Sequence, residues 1–277
     1  MAERIVYWRR SVVTDLVIGS TLLLVSIASM LAWHWLTSRT HDRDAALASL
    51  TQTAQSIAVG AGDQFEEGIS LGRALASEEE VQARDPALFR PLLERQAALH
   101  PRIRDLAVID LDGTVLGRAA SGESAGESVR ERGFFQRVTR LGEPTTIREL
   151  MPGSGSTFST GVAVPIRADD DSLVGVLTLM YDLSQFEDRL AQIDLQPGQS
   201  LALLDPNGRI AVLMRDPSQP SVDLTWDQRD RSSLPEVQAA LLGQTRTSAS
   251  LTSALNGDTR LGAFVPTPRY GWTNCAA

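Results

Sequence analysis

The chain contains no lysine: all 26 of its cationic side chains are arginines. That removes every lysine-dependent mechanism, including the lysine Schiff base and the phosphate-binding lysine of a P-loop. The single cysteine, Cys275, excludes an intrachain disulfide framework and a thiolate metal site. Only three histidines occur, His34, His41 and His100, too widely spaced for a metal cluster. Positive charge is short as well, since 34 acidic residues leave a net charge of -8. Without a basic stripe to neutralise phosphates, nucleic acid is not an expected partner. No cofactor is implied.

What is present first is a long apolar run. Residues 16–36 read LVIGSTLLLVSIASMLAWHWL, 21 residues without a formal charge. At about 1.5 Å per residue, such a helix crosses the roughly 30 Å hydrocarbon core of a bilayer. Arg4, Arg9 and Arg10 precede it against Glu3 and Asp15, whereas Arg39 and Arg43 beyond it are matched by Asp42 and Asp44. The positive-inside bias therefore predicts a cytoplasmic N-terminus (1–15), a single transmembrane helix (16–36) and the bulk of the chain outside. Trp8, Trp33 and Trp35 sit near the two ends as interfacial anchors. A cleaved signal peptide fits less well, because its apolar core runs only about 7 to 15 residues before a small-residue cleavage site.

Beyond the span, residues 37–83 are expected to continue as a long stalk helix. Leu47, Leu50, Ala54, Ile57, Ala61, Phe65 and Leu75 recur at helical spacing. Gly60, Gly62, Gly68 and Gly72 each weaken it by about 1 kcal/mol relative to Ala and predict a bend. The stripe packs on its own domain or pairs with a second copy as a homodimer stalk. Asp85-Pro86 starts a second helix, ended by His100-Pro101. The period then becomes extended. Strands are predicted at 103–109, 114–118, 145–150, 158–165 and 173–182, with a helix over 128–141 and another over 183–193. A weaker echo follows, in which LLDPNGRIAV repeats the pattern of VIDLDGTVLG. It continues through a polar loop holding Trp226, a helix over 234–242, and two strands flanking Asn256-Gly257-Asp258. The fold class is α+β: a transmembrane helix, a long stalk helix and two antiparallel-sheet lobes in tandem.

This order of parts resembles the double Cache sensor, the extracytoplasmic ligand-binding module of bacterial receptors. The residues that carry the resemblance are the VIDLDGTVLG hairpin, Arg132-Gly-Phe134-Phe135 at the R-x-[YWF]-[FY] position, Val164-Pro165-Ile166, and Val174-Gly175-Val176-Leu177 running into Tyr181-Asp182-Leu183. Leu204-Asp205-Pro-Asn-Gly and Tyr270-Gly271-Trp272 resemble landmarks of the second half. The resemblance implies two PAS-like lobes, a membrane-distal one over 84–194 and a membrane-proximal one over 195–277, with a small molecule held in the distal one. It implies the input region of a receptor of the histidine kinase, diguanylate cyclase or chemoreceptor type in the bacterial inner membrane, with the body periplasmic, and not an enzyme. Arg132 is then the expected fork for a ligand carboxylate, with Phe134 and Phe135 as pocket wall or floor. Otherwise Arg132 pairs with Glu131 or Glu127 and both rings are core.

Two departures bear on the ligand. Amino-acid-binding members carry Trp and Tyr where this chain has Phe134 and Phe135, and Tyr-x-Asp where it has Ile166-Arg167-Ala168. Ala168 stands where those members have the acid, so nothing obvious neutralises an α-ammonium: an amino acid is not expected, a small carboxylate or another metabolite fits equally well, and Arg167 is the fourth candidate site residue. The chain is also expected to be truncated, and its proximal lobe incomplete, because residues 273–277 are short and polar where the family adds a last strand, a second span and an output module. A membrane-anchored, non-sensing interaction domain is the alternative. A remote one is a haloacid-dehalogenase-like phosphatase, for which Asp110-Leu-Asp112-Gly113-Thr114 matches the first motif. Against it stand the missing lysine, the hairpin context, and the preference of tight turns for Asp and Gly. Ser154, Ser156 and Ser159 have no nearby His, and Gly153-Ser-Gly155 lacks a phosphate-loop pattern.

Overall fold

The computed structural model describes residues 2–120, 126–152, 158–183, 190, 193–216, 224–252 and 258–277, without the side chains of 2–15, 149, 151 and 152. The chain divides into two units, Met1–Ser49 and Leu50–Ala277.

The first unit is one stretch of helix α1, which runs from Ala2 to Ala76. Its apolar run is bare: Met30 is 76% and Trp33 72% exposed, and none of the window is buried by protein. It is the one helix among the described residues long and apolar enough to cross a membrane. The hydroxyls inside the run are satisfied within the helix, Ser26 donating to the Leu22 carbonyl (2.9 Å) and Ser29 to that of Val25 (2.7 Å). Such back-bonding removes the cost of placing a hydroxyl in hydrocarbon.

In the second unit the apolar stripe of α1 is buried as its spacing requires. Leu50, Ala54, Ile57, Ala61, Phe65, Ile69 and Leu75 belong to one core cluster with both sheets. The glycines expected to weaken the helix do not interrupt it: α1 is continuous through all four. Two of them are contact points: a Cβ on Gly68 would run into the Tyr181 hydroxyl, and one on Gly72 would lie 2.7 Å from Val164 Cγ2. Gly60 has open space instead. Gly60→Ala should therefore stabilise the chain by about 0.5–1 kcal/mol through helix propensity. Gly72→Ala should destabilise it, because overpacking costs about 1–3 kcal/mol and outweighs that gain. Denaturant midpoints of the two variants in detergent should move in opposite directions.

The helix ends earlier than the expected 83. After Ala76 come the short α2 (Glu79–Gln82) and α3 (Pro86–Leu99), which is capped by the Asp85 carboxylate accepting from the Ala87 N–H at 2.9 Å. Two five-stranded antiparallel sheets follow. The first, which keeps the expected label distal (the second, proximal) as a name only, contains β1 (Ile103–Asp110), β2 (Val115–Arg118), β3 (Thr145–Pro152), β4 (Phe158–Arg167) and β5 (Leu173–Asp182), with α4 (Gly133–Leu141) inserted before β3. The proximal one contains β6 (Ser200–Leu204), β7 (Ile210–Arg215), β8 (Arg246–Thr252), β9 (Thr259–Pro266) and β10 (Thr273–Ala276), with α5 (Trp226–Arg229) and α6 (Pro235–Leu241) inserted before β8. The strand orders, β2-β1-β5-β4-β3 and β7-β6-β10-β9-β8, are the same topology twice.

Strand alternation divides the distal sheet into two working faces. Leu106 and Val108 pair with Leu179 and Leu177, and all four join the α1 cluster. Ala107, Ile109 and Val176 point the other way and pack with Phe134, Phe135 and Val138 of α4. One face is therefore spent on the stalk, and the other is left for α4 and a cavity.

Three further expectations need correction. Residues 273–276 are not a polar tail: β10 is the central strand of its sheet, between β6 and β9, and all four residues are buried. The Asn274 amide is accommodated there by donating to the Val265 carbonyl (3.3 Å) and the Thr267 hydroxyl (2.9 Å). The loop holding Trp226 contains α5, opened by a capping box in which Thr225 and Gln228 bond each other's backbone N–H. The helix expected over 128–141 begins only at Gly133, with Arg132 as its N-cap. Most of the helix expected over 183–193, the Gly153–Ser156 loop, and Asn256-Gly257 fall outside the described residues.

Candidate functional site

A cavity of about 270 Å³ opens between α4, the segment after β2 and the second face of the distal sheet. Its floor is set by register. Asp105 pairs with Met180 and Ala107 with Thr178, so four side chains from β1 and β5 lie together beneath Ile147, Val115 and Phe134. The walls are polar, with Arg104, Arg118 and Arg132 facing Asp105 and Glu127.

Both acids are already engaged. Arg118 donates through Nη1 to Asp105 Oδ2 and through Nη2 to Glu127 Oε2, each at 2.9 Å. The other Asp105 oxygen accepts from the Ala120 N–H at 3.2 Å. Among the described residues Arg104 donates only to a neutral group, the Ser159 hydroxyl (2.6 Å). Arg132 is exposed, and its guanidinium has no hydrogen-bond or ion-pair partner among the described residues. Three guanidiniums against two carboxylates give the cavity a surplus of positive charge. Arg132 also stands at the positive end of the α4 dipole. A small anion is what this arrangement can hold.

The four residues singled out in the sequence are dispersed. Arg132 and Phe134 line the cavity together. Phe135 is buried in the cluster behind them and is not part of the lining. Arg167 lies apart from it: at the end of β4 it donates to the carbonyls of Gly142 (2.9 Å) and Asp171 (2.7 Å), pinning the left-handed Gly142 that ends α4. Sequence reasoning missed Arg104, Asp105, Arg118, Glu127 and Ser159. The legible hint was Asp105, an acid at a buried position of β1 next to the apolar run 106–109.

The Asp-rich hairpin is occupied structurally. Asp110 pairs with Arg84 at 2.9 Å and accepts from the Leu111 N–H at 2.8 Å. The backbone N–H and hydroxyl of Thr114 bond the Asp112 carboxyl and hold it below its usual range. Gly113 takes φ 89°, and a Cβ there would lie 2.7 Å from the Arg130 backbone. β1 and β2 are antiparallel, as a hairpin requires, and no crossover helix separates them.

The proximal lobe repeats this layout with different chemistry. Gln136 of α4 donates to the Arg130 carbonyl (3.4 Å), and Gln238 of α6 donates to that of Ser232 (3.2 Å). The N-cap position held by Arg132 is held there by Leu234. Its cavity is only about 70 Å³ and is lined largely by apolar side chains, among them Leu204, Leu234 and Phe264.

Asp205, in the second hairpin, accepts from the N–H groups of Asn207 (2.9 Å) and Arg209 (2.8 Å). Burial nevertheless pushes its carboxyl above the usual range. A folded-state pKa above the unfolded one gives stability that is complete below the unfolded value, about 3.9, and lost as pH rises through the folded value. Asp205→Asn keeps an acceptor oxygen without the charge. Its melting temperature should gain on the wild type between about pH 4 and 7, whereas parallel curves would show that Asp205 contributes nothing to the pH dependence.

No protein-family model matches the chain. No curated protein matches it either. Solved structures do match. The extracellular domain of the putative histidine kinase rpHK1S-Z16 superposes with a TM-score of 0.65 at 20% identity, covering 83% of this chain and 92% of that one. The ligand-binding domain of the Pseudomonas fluorescens chemoreceptor CtaA, in complex with L-isoleucine, gives 0.61 at 19% identity, covering 87% and 94%. The sensor domain of the V. cholerae histidine kinase DctB gives 0.60 at 15% identity, covering 85% and 97%. At these identities the likeness is one of fold: two PAS-like five-stranded antiparallel sheets in tandem after one long helix, the α+β arrangement expected from the sequence.

Proposed function

We propose that this chain is the extracytoplasmic input region of a bacterial transmembrane receptor, of the histidine kinase, diguanylate cyclase or chemoreceptor type, and that its distal lobe binds a small carboxylate. The unpartnered Arg132 in a cavity whose acids are both tied to Arg118 carries the ligand assignment. A carboxylate gains a charge-assisted, bidentate partner in Arg132 and a second donor in Arg104. An α-ammonium group finds no free acid there. Phe134 contacts the ligand's carbon skeleton, while Phe135 backs it and Arg167 fixes the C-terminal end of α4.

Residues 16–36 cross the inner membrane once, with 1–15 in the cytoplasm and the lobes over 84–194 and 195–277 in the periplasm. An uncovered apolar helix favours this placement, as does the Arg39 guanidinium lying 3.7 Å from the Trp35 ring centroid, an interfacial pairing beyond the span.

A screen of small mono- and dicarboxylates against the full chain in nanodiscs tests the binding. Saturation with a specific ligand at about 100 times Kd contributes about 2.7 kcal/mol, a rise of roughly 5–10 °C in melting temperature for a domain of this size. Arg132→Ala should weaken binding by about tenfold or more, the worth of a hydrogen bond to a charged group. A hit with unchanged affinity in Arg132→Ala would remove the site assignment. Failure of every carboxylate would favour an anchored interaction domain.

A further inference from the structure

A second cavity, of about 320 Å³, lies where helix α1 meets the end of α3, the start of β1 and the end of β5. It shares no lining residue with the cavity under α4. Its polar lining is Gln64, Glu67, His100, Arg102 and Tyr181. Gln64 and Tyr181 are each only 4% exposed, and neither side chain has a hydrogen-bond partner among the described residues. Neither side chain's polar end is among the fully enclosed atoms left without a partner, so both ends meet the cavity, where a bound molecule can take up their hydrogen bonds. Gly68 makes the arrangement possible, since any side chain there would collide with the Tyr181 hydroxyl.

The charged pair at this cavity differs from the pair under α4. Glu67 and Arg102 are both exposed and both line the cavity, yet among the described residues neither forms an ion pair with the other or with anything else. An acid and a guanidinium that do not neutralise each other leave one partner for each end of a dipolar molecule. The Gln64 amide and the Tyr181 hydroxyl line the same cavity and supply neutral donors and acceptors.

We propose that this cavity is a second ligand site, which takes a small zwitterion of the amino-acid type, its carboxylate on Arg102, its ammonium on Glu67 and its middle over Gln64 and Tyr181. The site is independent of the carboxylate site and of Arg132. Its ligand touches α1 and the distal sheet at once, so binding fastens the helix to the lobe through a joint that otherwise contains unpaired polar groups.

The test uses the full chain in nanodiscs and titration calorimetry with a panel of α-amino acids, each beside its decarboxylated amine and its deaminated acid. At least one amino acid should bind, with both single-ended analogues about tenfold or more weaker. Glu67→Gln and Arg102→Gln, both at exposed positions that leave folding intact, should each weaken that amino acid by about tenfold or more, and Arg132→Ala should not. Binding of no amino acid, or binding that Arg132→Ala abolishes and Glu67→Gln and Arg102→Gln leave unchanged, would overturn the proposal. The carboxylate result with Arg132→Ala stands or falls separately.

Discussion

Phe65→Ala is expected to destabilise the body of the protein by about 3–5 kcal/mol, the range for emptying a fully buried aromatic site. Phe65 is 0% exposed, and its ring centroid lies 5.2 Å from that of Tyr270 and 5.8 Å from that of Trp272. Trp272 is itself fully buried, so no neighbour can swing in from the surface to fill the hole. A loss of this size is a large part of the roughly 5–15 kcal/mol by which domains are stable. Phe65→Leu keeps most of the volume and should cost no more than about 1.5 kcal/mol beyond the lost ring contacts. Cys275 provides the readout. Burial pushes its thiol up to about 12, with the Glu236 charge adding to the effect, so in the folded protein it should resist alkylation. Phe65→Ala should speed its labelling by orders of magnitude while Phe65→Leu barely changes it; equal rates in wild type and Phe65→Ala would mean that the helix does not hold the core together.

The second large effect is expected from Arg118→Ala. This change strands Asp105, whose side chain is 11% exposed, without its cation. Breaking a buried pair costs about 3–5 kcal/mol, and because Arg118 is 26% exposed the lower end of that range applies. Glu127, at 45%, adds little, since an exposed pair is worth about 0–1 kcal/mol. Replacing both partners, as Arg118→Met with Asp105→Leu, should recover much of the loss, because an apolar pair carries no desolvation penalty. Binding should respond as well. Without Arg118 the cavity holds two guanidiniums and two carboxylates, and carboxylate affinity should fall even though Arg132 is untouched. Chemical denaturation and calorimetry on the same two variants separate the effects; an Arg118→Ala chain of wild-type stability would show that water already screens the pair.

Much of the architecture was legible because it rests on local periodicity. The apolar run at 16–36, the α1 stripe from Leu50 to Leu75, and the Asp-x-Asp-Gly and Asp-Pro-Asn-Gly turns are each written in adjacent residues. The tandem arrangement was legible for the same reason, and the two sheets have one strand order. What escaped depends on partners far away in the chain. The four residues of β10 carry Thr, Asn and Cys and show no useful alternation; only pairing with β6 and β9 makes them a core strand. The α1 glycines read as weak points until Tyr181 and Val164 are seen against them. Within the site, Arg132 and Phe134 stand in a contiguous motif and could be named in advance. The cluster of Arg104, Asp105, Arg118 and Glu127 could not, because Arg118 gathers its acids from another strand and from a loop. Arg167 shows the converse: it ends β4 apart from the cavity, and its guanidinium donates to the carbonyls of Gly142 and Asp171, contacts that adjacent residues do not reveal.

The crystal structure of the full chain with its best carboxylate bound tests the central claim most directly. The ligand should lie in the cavity under α4, its carboxylate forked by Arg132 within about 3 Å, with Arg118 still bridging Asp105 and Glu127. A carboxylate found instead in the proximal lobe, or one seated under α4 with Arg132 turned away from it, would contradict the account.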